Sequence, residues 1–311
     1  MMLTAPTLTP IALAACDPAP KSATEPSTKA AAPSVMTYAD FQQLSQPPAP
    51  ATLAYGDDPL QVVELWKPDG KGPFPVVLLL HGGCWQSGVA RADIMHRQAA
   101  ALVAKGVAVW SVEYRGVDMP GGGYPGTFAD VAAAADLLAR TGAEHDLDTS
   151  RVVAMGHSAG GHLALWLAAR PRIAPTSALH GSAPLKITGV VSLGGLPDLA
   201  AARTEAAEAC GVDTVDRLVG PVTPAHPDPY ADTSPVALLP IGVPQVQISG
   251  EDDGIAPPRF AEAYAAKALA KGERVVSRTI PAQGHFELIV PGTPAGDAAI
   301  DAAVDLLGRK P

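Results

Sequence analysis

The chain has 311 residues, 47% of them apolar and 17% charged, with a formal net charge of −9. This length and apolar content supply the core of one sizeable domain, and the negative balance excludes nucleic acid as a natural partner. There is no internal repeat, H-E-x-x-H helix, paired C-x-x-C or acid-rich calcium loop, so neither a metal nor another cofactor is implied.

At the N-terminus, residues 1–15 are short and weakly apolar, and Leu13-Ala-Ala-Cys16 resembles a bacterial lipobox, which assigns residues 1–16 as a lipoprotein signal with Cys16 lipidated. Residues 17–50 are rich in Pro, Ala, Ser and Thr, a composition that reads as a disordered tether. No Lys or Arg precedes Cys16, and Pro6 and Pro10 interrupt the apolar run, so a cytoplasmic tail stands as the alternative to a periplasmic or membrane-anchored lipoprotein. No stretch reaches the roughly 20 apolar residues needed to cross a bilayer. The membrane is therefore met only through the N-terminal anchor, and the folded domain is assigned to residues 51–311.

Within that domain, Val76-Val-Leu-Leu-Leu80 is an apolar strand that runs directly into His81-Gly82-Gly83-Cys84-Trp85. Helical stretches are predicted over residues 91–105, 127–141, 159–170, 257–271 and 294–309, alternating with apolar strands, which is the pattern of an α/β domain. Arg151-Val-Val-Ala-Met155 reads as a buried strand, Gly156-His157-Ser158-Ala159-Gly160 as a sharp turn, and the following residues as a helix. Such a turn thrusts the Ser158 hydroxyl out of a parallel sheet. Its flanking glycines are required because a Cβ there would collide with the adjoining strand and helix. Residues 199–240, between strands at 189–193 and 243–249, read as an irregular cap insertion whose Pro-rich part, Gly220 to Pro229, is ordered loop.

A serine hydroxyl attacks well only when a base takes its proton, and a histidine oriented by a carboxylate is the usual solution. His162, His180, His226 and His285 follow Ser158, and only His285 lies beyond the acids Glu251, Asp252 and Asp253, which end the strand at 243–249. The glycine-rich loop at Gly83 and Cys84, with Ala159 after the nucleophile, offers backbone N–H groups for a carbonyl oxygen that gains negative charge. One such donor is worth about 3 kcal/mol of barrier. Trp85 is placed in the substrate pocket, with a packing role as the alternative. His81 and His157 are expected to buttress their loops, His162 to hydrogen-bond in place, and Glu287 to stay clear of the His285 ring.

His81-Gly-Gly-Cys-Trp85 together with Gly156-His-Ser-Ala-Gly-Gly-His-Leu-Ala164 resembles the alpha/beta-hydrolase superfamily, nearest to its kynurenine-formamidase and bacterial feruloyl-esterase-like branch. The likeness runs from about residue 52 to 309. It implies an alpha/beta-hydrolase fold, a mostly parallel sheet with helices on both faces and a small cap, with catalytic residues in the order Ser158, acid, His285. The G-x-x-D-x-x-x-P acid turn of that branch matches Gly250, Asp253 and Pro257, which makes Asp253 the orienting acid and Asp252 its alternative. The implied activity is a serine hydrolase acting on small-molecule carboxylic esters through an acyl-enzyme. An arylformamidase cleaving an amide, a prolyl-oligopeptidase-like peptidase and an inactive hydrolase-like binding protein are the other readings. If Cys16 is lipidated, Cys84 and Cys210 remain as an even pair, and either a disulfide or two free thiols fits the sequence.

Overall fold

The computed structural model describes residues 1–3, 5 and 35–308. Contacts divide the chain into Met1–Ser34 and Val35–Pro311. In the first unit the described residues carry no regular secondary structure. The lipobox with Cys16, and the tether as far as residue 34, lie outside the described residues.

The tether prediction fails from residue 35 onward, because Val35 already belongs to the folded unit. Thr37 and Asp40 form a reciprocal capping box at the start of α1 (Tyr38–Gln42), which satisfies two backbone donors that a short helix would otherwise leave open. Phe41, only 2% exposed, anchors this arm in the core. The composition of residues 17–50 hides this local apolar cluster, whose buried aromatic ring helps dock residues 35–50.

An eight-stranded sheet follows, with β1 (Thr52–Ala54), β2 (Val62–Trp66), β3 (Phe74–Leu80), β4 (Ala108–Val112), β5 (Leu147–His157), β6 (Gly189–Leu193), β7 (Gln245–Gly250) and β8 (Val275–Ile280). Their spatial order is β1-β2-β4-β3-β5-β6-β7-β8. The first two pairings are antiparallel and all the others parallel. On β3 and β5, Val76, Leu78, Leu80, Val152 and Ala154 enter one core, whereas Val77, Leu79, Val153 and Met155 enter the other. Strands buried on both faces must be apolar at successive positions, which is why these segments read as unbroken hydrophobic runs.

Helices cover both faces. Among them α2 (His96–Ala104) and α9 (Pro294–Gly308) share the second core, while α3 (Gly126–Thr141), α4 (Ala159–Ala169) and α8 (Arg259–Ala270) pack into the first. The five predicted helices are present with ends moved by a few residues; residues 92–95 form a 3₁₀ turn before α2. The cap prediction over residues 199–240 needs correction, since its first half is not irregular: α5 (Leu199–Glu205), α6 (Ala207–Cys210) and α7 (Thr214–Val219) occupy it. The Asp198 carboxylate accepts from the Ala201 N–H to start α5. The Pro-rich remainder is loop, with a bridge between Thr223 and His226 and the His226 ring stacked on Tyr124. Among the described residues no helix is long and apolar enough to cross a membrane.

Cys84, just after β3, is bonded to Cys210 at the end of α6, with Cα atoms 5.3 Å apart and a sequence separation of 126. Closing so long a loop restricts the unfolded chain and stabilises the fold by about 2–4 kcal/mol. Cys210→Ser should therefore lower Tm by roughly 4–16 °C for a domain of this size, measured by calorimetry against the wild type under non-reducing conditions, with the variant insensitive to added reductant.

Candidate active site

Ser158 stands at the junction of β5 and α4 with φ 56 and ψ −120, a strained conformation that costs about 1–3 kcal/mol and recurs at functional sites. Its N–H donates to Leu193 O of β6 at 2.8 Å, and its C=O accepts from the N–H of Gly161 and of His162, so the turn is tied at both ends. A Cβ at Gly156 would lie 2.1 Å from Gly160 O, and one at Gly160 would lie 2.2 Å from Leu80 O. Backbone atoms cannot yield at such distances, so the turn requires both glycines.

The acid and the histidine come from the ends of β7 and β8. Asp253 Oδ2 accepts from His285 Nδ1 at 2.7 Å, and Asp253 Oδ1 accepts from the N–H groups of Ile255 and Ala256 at 2.9 and 2.7 Å. Burial by itself would raise the Asp253 pKa, but the His285 charge and hydrogen bond, with the two amides, outweigh it and hold the carboxyl below its ordinary value. Asp252 is exposed to solvent, and its N–H donates to Gln283 O.

Ser158 and His285 line one cavity of about 230 Å³, whose walls include Gly83, Cys84, Tyr38, Ile94, Ile255 and Phe286. A larger concavity of about 340 Å³, between Arg172 and Asp232, touches none of the triad candidates. Among the described residues, the N–H groups of Gly83, Cys84 and Ala159 donate to no protein acceptor, which leaves them free for a bound oxygen. Gly83, Cys84 and Trp85 all have positive φ, at 102°, 55° and 54°. Two of these are not glycine, so the loop is strained and has to be held.

Trp85 supplies part of that hold and does not line the pocket, which corrects the substrate-binding prediction. Its side chain is fully buried, and its Nε1–H donates to His162 Nδ1 at 3.1 Å. The acceptor role of Nδ1 puts the His162 proton on Nε2, which donates to Thr233 O at 2.9 Å. Burial lowers the His162 pKa to about 4, so this bridge is neutral. An indole beside a glycine loop buries a large apolar area once its N–H has a partner, and the histidine on α4 provides one.

His81 and His157 are structural. The His81 ring stacks on Tyr114 at 4.2 Å, and its Nε2 lies 3.3 Å from Glu113 Oε1. Burial would raise the Glu113 pKa; His81 and the amides of Ala92 and Tyr114 reverse this and keep it low. His157 Nε2 donates to His285 O at 3.0 Å. Burial, and then the neighbouring His285, lower the His157 pKa to about 3, so its ring is a neutral prop for the His285 loop. Glu287 points away from the His285 ring: Oε2 accepts from Gly284 N–H at 3.1 Å and Oε1 from Met36 N–H at 2.5 Å. Among the described residues no group of three or more His, Cys, Asp or Glu side chains is gathered for a metal ion.

The pocket walls from Tyr38, Ile94, Ile255 and Phe286 escape sequence reasoning, because single apolar residues scattered along the chain carry no spacing signal. Phe286 is adjacent to His285 and could have been suspected on that ground alone.

Esterase LipC of Mycobacterium tuberculosis is 28% identical to the chain over 254 residues, which cover 79% of this chain and 62% of that protein. The chain thus spans about three fifths of that relative's length. Among solved structures, esterase B from Lactobacillus rhamnosis superimposes with a TM-score of 0.70 at 21% identity, covering 86% of this chain and 89% of the other. Esterase LipW from Mycobacterium marinum gives 0.63 at 21% identity, covering 79% and 76%. Both share the alpha/beta-hydrolase fold predicted from the sequence. The BD-FAE family model matches residues 63–267, a stretch that holds β2 to β7, the Gly83 loop, Ser158 and Asp253, and the chain belongs to that family of alpha/beta-hydrolases.

Proposed function

We propose that the protein is a serine hydrolase that cleaves carboxylic esters through an acyl-enzyme. The observation that carries this reading is the buried 2.7 Å contact between Asp253 and His285, with His285 lining the same cavity as Ser158. Ser158 Oγ attacks the ester carbonyl while His285 Nε2 takes its proton, and Asp253 holds the Nδ1–H and stabilises the imidazolium. The oxyanion receives the N–H groups of Ala159 and of Gly83 or Cys84, each worth about 3 kcal/mol of barrier. Collapse of the tetrahedral intermediate expels the alcohol with the proton from His285. Water, activated by the same imidazole, then attacks the acyl-serine and restores Ser158.

The esterases among the relatives support the choice of ester. At 230 Å³ with mostly apolar walls, the cavity falls below the ~300 Å³ at which pockets for drug-sized ligands begin, which favours short substituents. A panel of short acyl esters, feruloyl esters, N-formylkynurenine and dipeptidyl amides tests the assignment. Highest kcat/KM on a short ester is expected; preference for the formamide or the amides would replace the ester reading.

Ser158→Ala and His285→Ala should each reduce kcat by about 10⁴-fold or more while leaving the fold intact, because triad members act as a unit. Asp253→Asn should be nearly as damaging, whereas Asp252→Asn should stay within a few-fold of wild type. A fluorophosphonate label on any serine other than Ser158 would sink the mechanism.

The Asp253 carboxyl also links stability to pH. Its folded pKa lies below the ordinary 3.8, so its contribution is complete above that value and is lost as pH falls through the lower folded one. Urea midpoints of wild type and Asp253→Asn should therefore converge between pH 5 and pH 2, with the wild type the more stable at pH 7.

For location, we propose export and lipid anchoring at Cys16. The Leu13-Ala-Ala-Cys16 motif supports it, as does the Cys84 to Cys210 disulfide, a bond at home in oxidising compartments. Intact-mass analysis should find a mature chain beginning at a lipidated Cys16. A full-length chain with an unmodified Met1 in the cytoplasm would refute the anchor.

A further inference from the structure

The arm that precedes the sheet reaches the active site. Tyr38 of α1 lines the same cavity as Ser158 and His285, although it lies before the stretch 63–267 that matches the family. Its ring packs on Phe286 with centroids 5.3 Å apart, and Phe41 joins them, 5.9 Å from Phe286 and 6.4 Å from Tyr38. Across the cavity the Tyr38 hydroxyl donates to Val89 O at 2.8 Å, and Val89, Ala90 and Ile94 form the wall on that side. One aromatic ring is thereby fixed at both ends, between the loop after Cys84 and the residue following His285.

Three further contacts hold the arm on the fold. Glu287 accepts from the Met36 N–H with one oxygen and from the Gly284 N–H with the other. The His96 ring nitrogens pair with Pro47 O at 2.9 Å and with a Glu64 carboxylate oxygen at 2.9 Å. Phe41 is buried in the second core. The Tyr38 ring is therefore placed by the fold and not by chance contact of a loose terminus.

We infer that Tyr38 is a specificity-determining residue, the wall that limits the length of the ester substituent admitted beside Ser158. The inference rests on the ester-hydrolase reading. It predicts that the arm, outside the family match, tunes which ester this chain prefers while the catalytic groups stay unchanged. Replacing the ring by a methyl group lengthens an apolar cavity, and each methylene that then finds contact is worth at most about 10–200-fold in kcat/KM.

The test measures kcat/KM of the full chain for p-nitrophenyl esters from acetate to decanoate, and for a series of acetate esters of alcohols of rising length. Tyr38→Ala should raise the decanoate-to-acetate ratio, or the corresponding alcohol ratio, by at least tenfold, and Tyr38→Trp should lower the same ratio. Tyr38→Phe, which keeps the ring, should retain the wild-type profile. Opposite shifts in the two directions are something a merely structural residue would not produce, and fluorophosphonate labelling of Ser158 checks that each variant keeps a competent site. Should Tyr38→Ala fail to fold, Tyr38→Leu repeats the test with an apolar contact to Phe286 retained. Ratios within twofold of wild type in active, folded variants overturn the inference alone. A wild type that hydrolyses no ester in either series overturns the ester reading and this inference with it.

Discussion

Helix α4 approaches the carboxyl ends of β3 and β5 so closely that a methyl group at Gly156 or Gly160 would sit about 2 Å from a backbone carbonyl oxygen. That approach aims everything around it. It puts the Ser158 backbone into a conformation few residues tolerate and brings His162 of α4 to the Trp85 indole of the glycine loop. All eleven residues of α4 are buried, so the cost of the strained turn is carried by packing on every side of the helix. A buried apolar side chain contributes about 1.5–3 kcal/mol, and several such residues on one helix outweigh a few kcal/mol of local strain.

The glycine-rich loop after β3 poses a similar problem, since Cys84 and Trp85 both adopt left-handed backbone conformations. Two independent ties hold them. The disulfide joins Cys84 to α6, and the Trp85 to His162 to Thr233 relay joins the same loop to α4 and to the segment before β7. Gln86 adds a third, donating to Cys210 O at 3.0 Å. The inserted segment therefore braces the loop that carries Gly83 and Cys84, and through Ala209 it also lines the cavity. An amide that must stabilise a developing charge gains nothing if it has to reorganise during the reaction, so a rigid loop suits the role proposed for it.

A carboxylate can hold two loops at once because each oxygen accepts independently. Asp253 fixes the His285 ring with one oxygen and its own turn with the other. Glu287 does the same one layer out, binding the His285 loop and the N-terminal arm. Both are nearly excluded from solvent, where an unpaired carboxylate would be costly and a fully hydrogen-bonded one specifies a single geometry.

The nucleophile turn, the histidine beyond the last acids and the glycine loop were all legible in the sequence, because each depends on residue types at short spacing that the chemistry demands. The alternation of strands and helices was legible for a related reason, since short unbroken apolar runs alternate with longer stretches of helix-forming residues. The acid turn pointed to Asp253 ahead of Asp252, and the tertiary structure shows how differently the two neighbours are placed: Asp253 is buried against His285 and Asp252 faces solvent. It moved Trp85 from the pocket to the core, where a histidine 77 positions away accepts its N–H. It also brought residues 35–50 onto the fold: the Thr37 to Asp40 capping box was present in the sequence, but its value depended on Phe41 finding the Phe286 ring. Local patterns specify elements and strained turns. Contacts between residues far apart in the chain carry no such pattern, and they set the walls of the pocket.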